Sequence, residues 1–232
     1  MITHAPEVMS PKDQWALSLP MMLVLVFPFY ANDFANIFVD DWRLWLLIDY
    51  TGVKLLPLAI IAWLLTRGRL HPRDLGLTYP GTIQFLGTFL IVTLVGTLID
   101  QNGYAVTSTW PGYQALGGMP PIGSPVWDWI DLTFGLLLVG IVEELVFRGY
   151  MLAFLRRYTT NRLVIVVVSS IAFGLIHWSL GLNAVLITTI IGSVFMTAYL
   201  ATGSLPAIML AHFAVNFIDF AGIIPKSIFK LL

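Results

Sequence analysis

Cysteine is absent from the 232 residues. That excludes a disulfide framework, a thiolate nucleophile and a cysteine-ligated metal. Charge is almost as scarce: Asp, Glu, Lys and Arg make up 11% of the chain, against roughly 25% in an ordinary soluble domain. A net charge of −1 leaves no basic surface for DNA or RNA, so no nucleic-acid partner is expected. Internal repeats, low-complexity tracts and a separate polar domain are also missing. What abounds is apolar, at 58% of the chain. A soluble chain of this length lacks the interior to hide so much apolar surface. The composition therefore implies an all-α polytopic transmembrane helix bundle. Residues 1–232 are expected to form a single integral membrane domain with the lipid bilayer as its surroundings.

A helix needs about 20 mostly apolar residues to cross the hydrocarbon core. Seven stretches qualify: 15–34, 44–65, 81–99, a run from 127 past Arg148, 163–180, 183–200 and 205–224. The first and last leave room for kinked or interfacial segments, so the count runs from six to eight. None alternates as a barrel strand does. The first run reads as a retained helix and not a signal peptide, because Glu7 and Asp13 flank it against Lys12 and no small-x-small cleavage pattern follows. Basic residues set the orientation. Arg67, Arg69 and Arg73 follow the second span, and Arg156, Arg157 and Arg162 follow the fourth. The opposite loops hold only Arg43, beside Asp40 and Asp41. The Arg-rich loops and the N-terminus are expected to be cytoplasmic, in a multi-pass protein of the cell inner or plasma membrane. Lys226 and Lys230 then fall outside, against the rule, unless the tail returns as an interfacial helix or the count is off by one.

An ionisable residue at the centre of a membrane helix costs about 2.5–3.5 kcal/mol on insertion scales. Such residues are informative here. The fourth span carries Glu143, Glu144 and Arg148, the fifth His177, and the seventh His212, Asn216 and Asp219. Glu144 and Arg148 are four apart and can pair on one face. Glu143 points roughly 100° away and is free to meet another helix. At about 1.5 Å per residue, Glu143 lies roughly 13 Å, His177 roughly 22 Å, and His212 and Asn216 about 10–20 Å from the cytoplasmic side. Three helices thus bring a carboxylate, two imidazoles and an amide to similar depth. A Glu–His pair can deprotonate a water. A second His and an Asn can donate to a developing oxyanion. That set hydrolyses an amide without a Ser or Cys nucleophile. Alternatively, Glu143, His177 and His212 supply the donors of a catalytic zinc site, although the H-E-x-x-H pattern is absent.

The bland readings differ by residue. Asp49 and Lys54 read as an internal pair or a snorkelling lysine, and Asp219 reads as structural. Trp15, Trp42, Trp45, Trp63, Trp110, Trp127 and Trp129 read mostly as interfacial anchors.

Three motifs occur in order. Glu143-Glu144-Leu145-Val146-Phe147-Arg148 fits Glu-Glu-x-x-x-Arg, Phe173 to His177 fits Phe-x-x-x-His, and His212 to Asn216 fits His-x-x-x-Asn. Asp74-Leu75-Gly76-Leu77 follows the basic loop, ahead of the third span. The chain resembles the CPBP family, also called ABI, of CAAX prenyl proteases and bacteriocin-processing proteins. The strong similarity covers 127–217, the expected catalytic core. The resemblance implies an intramembrane endopeptidase acting on a peptide or membrane-protein substrate. By it, Glu143 activates water beside His177, His212 and Asn216 form the oxyanion site, and Glu144 and Arg148 support them. The family is described both as glutamate-dependent and as metal-dependent, so the cofactor stays open between none and a divalent metal such as zinc. Two other classes remain: a non-catalytic membrane scaffold or bacteriocin-immunity type protein on the same fold, and a small transporter or proton relay. The lack of inverted repeats disfavours the transporter.

Overall fold

The computed structural model describes residues 14–107, 110–112 and 114–224. The flank with Glu7, Lys12 and Asp13 and the tail with Lys226 and Lys230 lie outside the described residues. Among the described residues seven helices follow one another, one for each apolar run. They are α1 (Leu19–Phe38), α2 (Trp42–Thr66), α3 (Thr82–Thr107), α4 (125–155), α5 (Arg162–Leu180), α6 (Leu182–Thr202) and α7 (Leu205–Phe220). No strand occurs among the described residues. The fold is a helical membrane bundle. Five helices (α1, α2, α3, α5 and α6) are long and apolar enough to cross a membrane, and α7 is shorter. Helix α4 is about 45 Å long, but Asp128, Asp131, Glu143, Glu144 and Arg148 interrupt its apolar run.

Helix ends depart from the sequence reading for local reasons. Residues Gln14–Leu17 form a separate 3-10 turn, and α1 starts after Ser18, whose Oγ accepts the Met21 N–H at 3.4 Å. Helix α3 runs past Asp100 to Thr107 because Gln101 Nε2 finds a polar partner, Asp219 Oδ1 of α7, at 2.8 Å. Asp219 is thereby structural, as expected. Trp45 is not an interfacial anchor. It is 6% exposed and donates from Nε1 to Asn36 Oδ1 at 2.8 Å.

Hydrogen bonds between loops show which helix ends lie together. At one end, Tyr150 Oη donates to Ala16 O at 2.5 Å and Arg157 Nη1 to Leu17 O at 2.7 Å. There too Leu205 N–H donates to Gly76 O at 2.8 Å and Ser204 Oγ to Thr78 O at 2.8 Å. At the other end, Leu116 N–H donates to Ser179 O, Gly118 N–H to Asn36 O, and Leu182 N–H to Gly112 O. The helices therefore alternate in direction. Both Arg-rich loops sit at the first end, and Arg43 sits at the other.

Close helix contact needs small residues where backbones meet. Gly140 of α4 is such a point: a Cβ there would lie 2.8 Å from Met209 O and 3.0 Å from Phe213 N of α7. This approach sets α4 against α7, the two helices that carry the acids and His212.

Candidate active site

Helix α4 presents Glu143 and Glu144 just before it widens into a π-turn over Leu145–Tyr150. Such turns recur at functional sites. Both acids are buried, and Glu144 and Arg148 are fully so. Arg148 Nη1 lies 2.9 Å from Glu144 Oε1, the i,i+4 pair that the sequence implied. The contact is ionic and not an aligned hydrogen bond. The guanidinium also lies over aromatic rings, with Cζ 4.0 Å from the Phe173 centroid and 5.3 Å from that of Phe195. Cation–π attraction thus offsets part of its desolvation.

Helix α7 brings His212 between the two acids. Its Nδ1 lies 2.8 Å from Glu144 Oε1. Glu144 is paired with Arg148 and accepts, so Nδ1 carries the proton and Nε2 is the nitrogen left for chemistry. Nε2 faces Glu143 Oε2 at 3.7 Å, too far for a direct hydrogen bond. Among the described residues Glu143 Oε2 is buried without a hydrogen-bond partner. Rings of Phe173 and Phe195 pack edge-on to His212, with centroids 5.9 and 5.4 Å away. Asn216 follows one turn later on α7 and is partly buried.

His177 lies where α5 leaves α geometry. Leu175–Leu180 is a 3-10 segment, and His177 itself has φ −107° and ψ 25°. Its Nδ1 donates to the Phe173 carbonyl at 3.3 Å, so Nε2 is the ring nitrogen without the proton. The Phe173 ring packs against the His177 ring at 5.4 Å, as the spacing of four suggested. Phe173 thereby touches both imidazoles.

The arrangement joins Glu143, Glu144, Arg148 and His212 directly. His177 is linked to them through Phe173. Among the described residues, no three His, Asp or Glu side chains converge closely enough to hold a metal ion. Glu143, His177 and His212 as placed do not fit one. Ser169, the serine eight residues before His177, is committed elsewhere, with Oγ donating to Phe147 O at 2.6 Å.

Sequence reasoning missed two contributors from α6. Phe195 walls His212 and Arg148, and Gly192 leaves room for Phe173 and Arg148: a Cβ there would lie 3.0 Å from the Phe173 ring and 3.4 Å from Arg148 Nη2. Neither carries a signal inside an apolar helix. A second ionic cluster holds Asp49, Lys54 and Asp131. Lys54 Nζ pairs with Asp49 and lies 3.6 Å from Asp131 Oδ1, to which Tyr50 Oη donates at 3.0 Å. Lys54 is 3% exposed, so it is an internal partner and does not snorkel.

Neither curated proteins nor solved structures gave a match to the chain. Residues 125–218 match the family model described as "Type II CAAX prenyl endopeptidase Rce1-like". That segment holds Glu143, Glu144, Arg148, His177, His212 and Asn216. It is therefore Rce1-like, consistent with the CPBP family, and the likeness implies protease activity on a peptide substrate in a membrane setting.

Proposed function

We propose that the protein is an intramembrane endopeptidase in which Glu143 activates a water molecule, within a catalytic core at 127–217. The observation that carries this is the unpartnered, buried Oε2 of Glu143 facing His212 Nε2, whose other nitrogen is held by Glu144. A gap of 3.7 Å between two polar atoms suits one bridging water. Glu143 takes a proton from that water as its oxygen bonds to the scissile carbonyl carbon. The Asn216 amide donates to the resulting oxyanion, and His212, doubly protonated with Nδ1–H held by Glu144, donates to it from Nε2. His177, whose ring shares the Phe173 contact with His212, orients the water or the peptide. When the C–N bond breaks, Glu143 returns its proton to the leaving amine. No acyl-enzyme forms, and no step uses a metal. The Arg-rich end of the bundle is the cytoplasmic one, so the substrate is cut nearer that face.

The test is turnover of a quenched CAAX peptide, prenylated and unprenylated, by purified protein in liposomes. Glu143→Gln should abolish cleavage with the melting temperature nearly unchanged, and wild-type cleavage should survive a chelator. Full activity in a folded Glu143→Gln protein would overturn the assignment. Chelator inhibition reversed by zinc would move Glu143, His177 and His212 to metal ligation.

A further inference from the structure

Helix α1 lies outside the matched residues 125–218, yet it grips the backbone on both sides of His177. We infer that Asp33 of α1 is a positioning residue for His177. The inference rests on the reading that His177 takes part in hydrolysis.

His177 needs an external hold, because it sits at the kink where the α-helical ladder of α5 gives way to 3-10 turns. Two residues later the buried N–H of Ser179 donates to Asp33 Oδ2 at 2.7 Å. Asn36 Nδ2 braces the same point, donating to Asp33 Oδ1 at 3.2 Å and to Ser179 Oγ at 3.1 Å. Asn36 is held in turn by Trp45 Nε1. On the near side, Trp178 Nε1 donates to Tyr30 O at 3.1 Å, and Tyr30 Oη donates to Ala172 O at 2.8 Å. Residues 172, 178 and 179 are thus all fastened to α1, and His177 lies between them.

Asp33 is 5% exposed and joins no ion pair among the described residues. An unpaired carboxylate inside a membrane helix is costly. An Asn would accept the same N–H with less desolvation, so packing alone does not call for an acid. A charged acceptor does make the bond to Ser179 N–H roughly twice as strong as a neutral one. That strength fixes the chain where the imidazole leaves the helix.

The test uses protein with isotopically labelled histidine in liposomes or detergent. The chain has four histidines, and loss of a resonance in His177→Gln assigns that of His177. Asp33→Ala should move the His177 resonance and lower kcat by about 10- to 100-fold with KM little changed. Asp33→Asn, which keeps the acceptor but not its charge, should restore only part of both. In the His177→Gln background, Asp33→Ala should lower kcat no further. Asp33→Glu keeps the charge but displaces the carboxylate by one methylene, and should move the resonance even if Asp33→Ala does not fold. An unmoved His177 resonance in a folded Asp33→Ala or Asp33→Glu protein overturns the inference. So does a kcat loss that persists in full without His177. If the wild type cleaves no peptide, the protease reading fails by itself, and the histidine resonance still decides the positioning.

Discussion

Adjacent residues on a helix diverge by about 100°, and that angle sets Glu143 and Glu144 against different nitrogens of His212 and puts Glu144 beside Arg148. Glu144 is enclosed between Arg148 and His212. Glu143 keeps an oxygen without a partner. Substitutions at the two positions should therefore read out differently. Removing one member of a buried ion pair costs about 3–5 kcal/mol. Arg148→Ala should lower the melting temperature and the yield of folded protein, as a thermal melt in detergent would show. Among the described residues Asn216 has no such partner to strand, and its proposed bond forms only with the oxyanion. Asn216→Ala should lower kcat by about 10²–10³-fold with a smaller change in KM. Wild-type turnover in that variant would remove Asn216 from the site. The Glu144–Arg148 pair was legible from its spacing alone. The position of His212 between both acids was not, because spacing along one helix says nothing about which face of another it meets.

At the scale of elements, the apolar runs foretold seven helices, but not how each departs from regular geometry. Asp49 and Lys54 illustrate the limit. Five residues apart, they lie on different faces of an α-helix, yet they pair because Asp49–Leu55 is a π-turn, whose repeat is i to i+5. The 3-10 segment at His177 was equally silent, since its apolar spacing continues that of α5. Glycines show the same division. Gly52 and Gly140 look alike in sequence. A Cβ on Gly52 would meet nothing within 4 Å, whereas one on Gly140 would press on the backbone of α7. Gly140→Ala should destabilise the bundle by about 1–3 kcal/mol, the usual range for overpacking. Gly52→Ala should leave the melting temperature level or slightly higher, since Ala favours a helix. Equal melting of the two variants would refute the close approach of α4 and α7.

At the scale of the bundle, the alternation of the described helices and the clustering of arginine at one end set one testable orientation. The loop between α2 and α3 carries Arg67, Arg69 and Arg73, and the connection from α4 to α5 carries Arg156, Arg157 and Arg162. Contacts of Leu205 with Gly76 and of Arg157 with Leu17 place these segments at one end of the bundle. The opposite end has Arg43 beside Asp41, whose carboxylate is held below the usual range by the Leu44 and Arg43 N–H groups that it caps and by the Arg43 charge. The basic end should face the cytoplasm. The chain has no cysteine, so single cysteines at Arg69, at Tyr158 and at Met119 form a clean set on a silent background. An impermeant maleimide applied to intact cells should label Met119→Cys alone. The other two should react only after the membrane is opened. Labelling of Arg69→Cys and Tyr158→Cys from outside, with Met119→Cys protected, would invert the orientation. The geometry of Glu143, Glu144 and His212 would survive that result unchanged, because it depends on helix packing and not on which way the bundle was inserted. The side from which water and peptide reach Glu143 would not survive it: the cut would then fall near the outer face, and a substrate's external juxtamembrane segment would be the one hydrolysed.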